Sequence, residues 1–198
     1  MDHWNPVCRN VGYVEGMSVK KDLKVPLVTK YLQNQIGIMM ANTYTQIHIQ
    51  TVFSVQNRGC LIQKVWQEEL YKYITGIVQN YDHKVLAING MPDHIHLFIG
   101  FRPTQSLSKL MQEVKQDSSK WINQKKFTKE KFSWQSGYGA FSYSKSHVER
   151  VIRYIRNQEI HHQKKTFLEE YKEMLNAFGI DYDEKYIFKP IDLPTFRP

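Results

Sequence analysis

Hydrophobic and polar positions change their period several times along this chain, and each change marks an element. Residues 44–55 (YTQIHIQTVFSV) are rich in β-branched and aromatic side chains and predict a strand. Residues 62–80 place Val65, Leu70, Ile74 and Val78 near helical spacing. Residues 84–90 (KVLAING) and 94–101 (HIHLFIGF) read as two strands joined by a turn at Gly90-Met91-Pro92-Asp93, a hairpin. A helix near 105–124 follows Pro103 and Thr104. Its Leu107, Leu110, Met111, Val114, Ser118, Trp121 and Ile122 form one 3-4 stripe. Residues 125–131 form a charged loop, and 132–143 (FSWQSGYGAFSY) an extended segment. Ser146 is the expected N-cap of a helix reaching about His161, with Glu149 completing a capping box. A last helix spans roughly 165–178, where Gly179 stops it.

The order β-α-β-β-α-β-α predicts an α+β domain: an antiparallel sheet with helices packed on one face, close to a ferredoxin-like arrangement. Residues 1–39 lack sustained periodicity apart from an apolar patch at 25–32. They read as an atypical leader. The working domain is expected to occupy 40–188, starting at Met39 or Met40, with the leader an appendage or the product of an upstream start codon. Residues 189–198 carry three prolines and read as an extended tail.

Composition narrows the function. The chain has 198 residues, enough for one compact domain with extensions. No stretch approaches the ~18 consecutive apolar residues of a membrane helix, and the first residues lack the pattern of a secretory signal. Two cysteines, Cys8 and Cys60, make no disulfide framework and exclude a cysteine-based metal site. Lys and Arg number 27 against 19 acidic residues, a net charge of +8. Such a balance favours a polyanionic partner, because each neutralised phosphate releases counterions.

Three groups of residues could carry chemistry. His94 and His96 stand two apart on a strand, so they share a face and can chelate one divalent ion. The alternative is a pair of ordinary histidines on a half-buried strand. Tyr154 and Gln158 stand four apart beside the apolar set Val148, Val151, Ile152 and Ile155. A tyrosine can attack phosphorus and keep the bond energy as a phosphotyrosine ester, and an amide carbonyl suits a hard ion. The chain has 12 tyrosines, however, and most such residues pack at a core boundary. Finally, Trp134, Tyr138, Phe141 and Tyr143 interleave with Lys125, Lys126, Lys129, Lys131 and Lys145, a pattern that can stack bases and track phosphates. Arg150 and Arg153 could hold phosphates or form a solvated helix face. His48 reads as packing or support for a site; His161 and His162 read as structural or phosphate-binding residues rather than primary ligands.

The segments GMPDHIHLFI, WQSGYGAFSYS and RYIRNQEIHH, in this order and separation, resemble the insertion-sequence-200-like transposases, single-tyrosine members of the HUH endonuclease class. The resemblance covers roughly 40–188. It implies that His94 and His96 are the metal-binding pair, Tyr154 the nucleophile and Gln158 the third ligand. It implies an RNA-recognition-like sheet and a Mg²⁺ or Mn²⁺ ion. The expected substrate is single-stranded DNA with hairpins at the element ends, cut through a 5′-phosphotyrosine intermediate. A homodimer with active sites shared between subunits is expected, in bacterial or archaeal cytoplasm, near the nucleoid, with no membrane partner. Lys125, Lys126, Trp134, Tyr138, Tyr143, Arg150 and Arg153 are the candidate DNA contacts. Rival readings are a domesticated repeat-associated tyrosine transposase, a non-catalytic single-stranded DNA or hairpin-binding protein, and a nucleotide phosphohydrolase. The last needs a third histidine two positions on, where Phe98 stands.

Overall fold

The computed structural model describes residues 44–187. The expectations for residues 1–39, the start at Met39 or Met40 and the 189–198 tail lie outside the described residues. Four strands and five α-helices alternate: β1 (Ile47–Ser54), α1 (Lys64–Asn80), β2 (Lys84–Met91), β3 (His94–Phe101), α2 (Leu107–Lys125), β4 (Gly139–Tyr143), α3 (Val148–Arg156), α4 (Gln158–His162) and α5 (Phe167–Ala177). The strands form one sheet in the order β2-β3-β1-β4, every neighbouring pair antiparallel. This is the expected α+β architecture. Among the described residues no helix is long and apolar enough to cross a membrane.

Helices cover both faces of the sheet, not one. On the first face Phe53, Ile95, Leu97 and Ile99 pack against Trp66, Leu70 and Ile74 of α1 and Leu110, Met111 and Val114 of α2. On the second, Phe98 and Ala87 meet Val148, Val151 and Ile155 of α3, while Val52 and Phe141 meet Phe167 and Leu175 of α5. The reason is written in β3. Every residue from His94 to Ile99 is buried, so both of its faces need a covering layer. His94 and His96 lie on the second face, under α3–α5.

Several local expectations shift. Val65 is 92% exposed, and the stripe of α1 runs instead through Trp66. The 132–143 segment is a strand only from Gly139. Before it, Trp134 makes a single bridge to Val55, and Gly137 turns the chain with φ +79°. Ser146 caps no helix. Its hydroxyl pairs with that of Ser144 at 2.9 Å inside a 3₁₀ turn at 145–147, and α3 starts after His147 without a side-chain cap. The capping box is on α5 instead, made by Thr166 and Glu169.

The single helix expected to reach His161 is broken at Asn157, whose backbone leaves the helical region at φ −96°, ψ 22°. Asn89 on β2 stands at the break. Its Nδ2 donates to the carbonyls of Ile155 and Arg156, both at 3.0 Å, and satisfies the end of α3. Next to Asn89, Gly90 faces Ile95 so closely that a Cβ would lie 2.1 Å from the His94 carbonyl oxygen. Only glycine lets the hairpin carry His94 at this position.

Candidate active site

The site is built where β3 meets α3, α4 and α5. His94 and His96 project from β3 toward the second face, both fully buried. Above them α4 contributes Gln158 and His162, and α5 contributes Glu170; Gln158 and Glu170 are buried. One donor atom from each of His94, His96, His162 and Glu170 falls within 4.8 Å of the others. The Glu170 Oε2 atom stands 3.0 Å from His162 Nε2, 3.5 Å from His96 Nε2 and 3.9 Å from His94 Nε2.

The three imidazoles are each anchored through Nδ1, two by an oxygen and one by an amide nitrogen. Each has Nδ1 engaged by a fixed partner: Asp93 Oδ1 at 2.7 Å for His94, the Gln50 side-chain amide at 3.0 Å for His96, and the Lys165 carbonyl at 3.0 Å for His162. Each has Nε2 buried and without a hydrogen-bond partner. Glu170 Oε2 and Gln158 Oε1 are in the same condition. Four of these atoms, the three Nε2 and Glu170 Oε2, lie within 4.8 Å of one another. Buried polar atoms left unpaired cost roughly 1–3 kcal/mol each, and apart from the 3.0 Å contact of His162 with Glu170 the group lacks close partners, which calls for a ligand. For His94 and His162 the partner is a carboxylate or carbonyl, and an acceptor holding Nδ1–H fixes the tautomer that offers an Nε2 lone pair, as around metal-bound histidines. The donors therefore fit a divalent cation.

Asp93 links this centre to the fold. Its Oδ2 accepts from Arg58 Nε and Nη2 at 3.1 and 2.8 Å, while Oδ1 faces His94. Burial alone would raise its pKa, but the bonds to His94 and Arg58 hold the carboxyl at about 2. Arg58 lies over the Phe167 ring, 5.1 Å from its centroid, and that ring stacks on His94 at 4.0 Å. Burial, only partly opposed by Asp93, lowers the His94 pKa to about 4, which keeps the ring neutral and its Nε2 free to ligate.

Tyr154 approaches from the other side. Its hydroxyl donates to Glu170 Oε1, which also accepts from Gln158 Nε2 at 3.0 Å. The two oxygens of Glu170 thus divide: one holds the phenol and the amide, the other faces the imidazoles. Burial would raise the Glu170 pKa, but the neighbouring His162, His96 and Tyr154 outweigh it and keep the carboxylate ionised. The phenol is held protonated, first by burial and then by the charge of Glu170. Beside Tyr154 a pocket of about 360 Å³ opens between Tyr143, Arg150, His161 and Phe178. A second, of about 470 Å³, opens beside His94 and His162, with Lys164 and Lys165 on its rim.

The structure brings together His94, His96, Tyr154 and Gln158, despite the helix break between the last two. Sequence reasoning missed Glu170, and it gave His162 no place among the ligand candidates. Of the candidate DNA contacts, only Tyr143 and Arg150 line the pocket at Tyr154. Arg153 is exposed on α3. Lys125 and Lys126, at the exposed end of α2, and half-buried Tyr138 lie on the first face, across the sheet from the site. Trp134 is no platform for a base: its ring is buried against Phe53 and Phe132, and its Nε1 donates to Ser118 Oγ at 2.9 Å. His48 is buried in β1, its ring centroid 6.3 Å from that of Phe98, a packing position.

Fold and site together define a small α+β protein with a tyrosine poised at a buried imidazole–carboxylate centre. The sequence model of the family described as "Transposase IS200 like" matches residues 43–158, more than half the chain, and the chain belongs to that family. It is accordingly a transposase, a DNA-cleaving enzyme. No functionally curated protein matches it. Among solved structures it is similar to a Deinococcus radiodurans protein described as a candidate transposase, at 17% identity and TM-score 0.49, covering 59% of this chain and 94% of that one. It is also similar to a REP-associated tyrosine transposase bound to a REP hairpin, at 14% identity and TM-score 0.48, covering 61% of this chain and 72% of that one.

Proposed function

We propose that this transposase cleaves and rejoins single-stranded DNA through a 5′-phosphotyrosine on Tyr154, at sites marked by hairpins near the ends of a mobile element. The observation that carries the reading is the hydrogen bond from the Tyr154 hydroxyl to Glu170, a residue that also faces His94 and His96. A nucleophile and a cation-ready donor set meet on one carboxylate.

A divalent ion such as Mg²⁺ or Mn²⁺, held by His94, His96 and Gln158, would polarise the scissile phosphate and stabilise charge on its oxygens. Tyr154 Oη attacks phosphorus in line, its proton passes to Glu170 Oε1, and the 3′-oxygen leaves and is protonated from solvent. Arg150, at the mouth of the pocket beside Tyr154, offers a guanidinium to the backbone phosphates. Rejoining reverses the step: a 3′-hydroxyl attacks the phosphotyrosine and the phenol recovers its proton, so no energy-rich cofactor is needed. A homodimer with shared active sites belongs to the same proposal.

The test is a denaturing gel of the protein with labelled single strands from the DNA flanking its gene, in the presence of Mn²⁺ or Mg²⁺. A shifted, protease-sensitive band is expected. A folded, ion-loaded protein that forms no adduct with any flanking strand and still retains hairpins would support the non-catalytic binding reading.

A further inference from the structure

We infer that the pocket beside Tyr154 is a nucleobase subsite, which takes the unpaired base of the first nucleotide downstream of the cut, the one whose 5′-phosphate passes to Tyr154. The inference deepens the function proposed above and rests on Tyr154 being the nucleophile.

The geometry of displacement at phosphorus says which nucleotide this is. The upstream nucleotide leaves through its 3′-oxygen, in line with the attacking phenol and on the opposite side of phosphorus. The downstream nucleotide keeps its P–O5′ bond and stays tethered to the Tyr154 oxygen. Its base must lodge within one nucleotide's reach of that oxygen. The cavity of about 360 Å³ that Tyr154 itself lines meets this condition. The cavity beside His94 and His162 shares no lining residue with it. The volume is near the lower end of the roughly 300–1,000 Å³ of small-ligand pockets, room for one nucleoside. A base paired in a duplex would have to leave its stack to enter.

The walls suit a base. Tyr143, at the end of β4, and Phe178, just after α5, meet edge to face with ring centroids 5.3 Å apart. Phe178 also leans on Phe141 at 5.0 Å, yet it is 38% exposed, an aromatic ring the core leaves uncovered. Val151, Met174 and Ala177 complete the apolar lining. Aromatic rings stack on unpaired bases of any identity. Charge agrees with this occupant. Both carboxylates of the lining are engaged, Glu170 by Tyr154 and Gln158, and Glu173 by Lys165 at 2.6 Å. Arg150, exposed on α3, has no carboxylate partner among the described residues and is left for the phosphate. Met174, Ala177 and Phe178 lie beyond residues 43–158, so the segment after the family match furnishes this wall.

The experiment measures adduct formation on the denaturing gel for a flanking strand that the protein cuts. The same strand is then made abasic at the first position downstream of the cut or, as a control, at the third. The first substitution should lower kcat/KM at least about fivefold, and the control should leave it unchanged. Phe178→Ala should cause a similar loss on the intact strand and no further loss on the strand abasic at the first position. 2-Aminopurine at that position, bound to the non-cleaving Tyr154→Phe chain, should be quenched by stacking and should brighten when Phe178→Ala is added. If the strand abasic at the first position reacts with the unmutated chain at the intact rate, the subsite is overturned and the proposed function stands. Additive losses from Phe178→Ala and the abasic residue would also place the base elsewhere. No adduct from any strand would overturn the proposed function and this inference with it.

Discussion

The Tyr154 hydroxyl on α3 donates to Glu170 Oε1 on α5, so the proposed nucleophile is held by a buried carboxylate that also faces three imidazoles. The phenol and the cation site are therefore coupled through one side chain. Tyr154→Phe keeps the ring packing and removes only the oxygen. It should abolish the covalent DNA adduct while lowering stability by about 1.5–3 kcal/mol, the range for a hydrogen bond to a charged group. Adduct gels and chemical denaturation read the two effects separately. An adduct surviving in the folded variant would move the nucleophile elsewhere.

His94→Ala and His96→Ala should each eliminate cleavage, and Gln158→Ala should shift the ion titration of cleavage more than DNA binding. Removing the ion should also be visible without DNA. An ion that binds only the folded chain adds about 2.7 kcal/mol at a concentration a hundred times its Kd. The melting temperature should fall on chelation, and fall less in His94→Ala. An identical shift in both proteins would place the binding outside this centre.

Asp93 holds the His94 tautomer, and Arg58 holds Asp93. Asp93→Asn should weaken ion affinity by roughly 10–100-fold while leaving the sheet intact. Arg58→Ala leaves a buried carboxylate without its cation, and a loss of about 3–5 kcal/mol is expected. Calorimetric ion binding for the first and urea unfolding for the second are the measurements. Equal ion affinity in Asp93→Asn would show that the Asp93–His94 contact plays no part in ligation.

Asn89 clamps the carbonyls of Ile155 and Arg156, immediately after Tyr154. Asn89→Ala frees the end of α3 and should lower the rate of adduct formation severalfold with Mn²⁺ affinity for His94 and His96 retained. Asn89→Asp, which keeps the size and loses the donor, should behave like alanine. If both variants cleave at the parental rate, α3 is held in place by packing alone.

His83 stands at the opposite end of the β2–β3 hairpin from His94 and supplies a separate pH dependence. It is buried; its Nδ1 accepts from the Arg102 backbone N–H at 3.0 Å, its Nε2 meets the Gln105 amide at 3.0 Å, and its ring stacks on Phe101. Burial, aided by Arg102, lowers its pKa. The unfolded chain then binds more protons than the folded one as pH falls below about 6.5. The stabilising contribution is thus complete above that pH and declines toward the lowered folded value. His83→Gln should flatten this part of the stability–pH curve; an unchanged slope would assign it to other groups.

Much of the architecture was legible in the chain because the signals were local. The HIHLFIGF run predicted β3 with its observed bounds, and the Tyr154–Gln158 spacing survived a helix break that nothing in its own segment announces. At that break the end of α3 is capped by Asn89, 66 residues from Ile155. Glu170 was readable in principle as a carboxylate on an apolar stripe, but only packing reveals which polar intruder on a stripe is functional. Trp134 misled for the converse reason. Its aromatic–glycine neighbourhood looks like a nucleic-acid surface, yet the Ser118 hydroxyl on α2 and two phenylalanine rings draw it into the core. The second helical layer followed from the unbroken burial of β3, which a six-residue apolar pattern with two histidines understates.

The most direct measurement is the denaturing gel with flanking single strands, run in parallel for the parent chain, Tyr154→Phe and His96→Ala. The account predicts an ion-dependent, protease-sensitive adduct with the parent and none with either variant. An adduct that forms in the presence of chelator, or that persists without the Tyr154 hydroxyl, would contradict it.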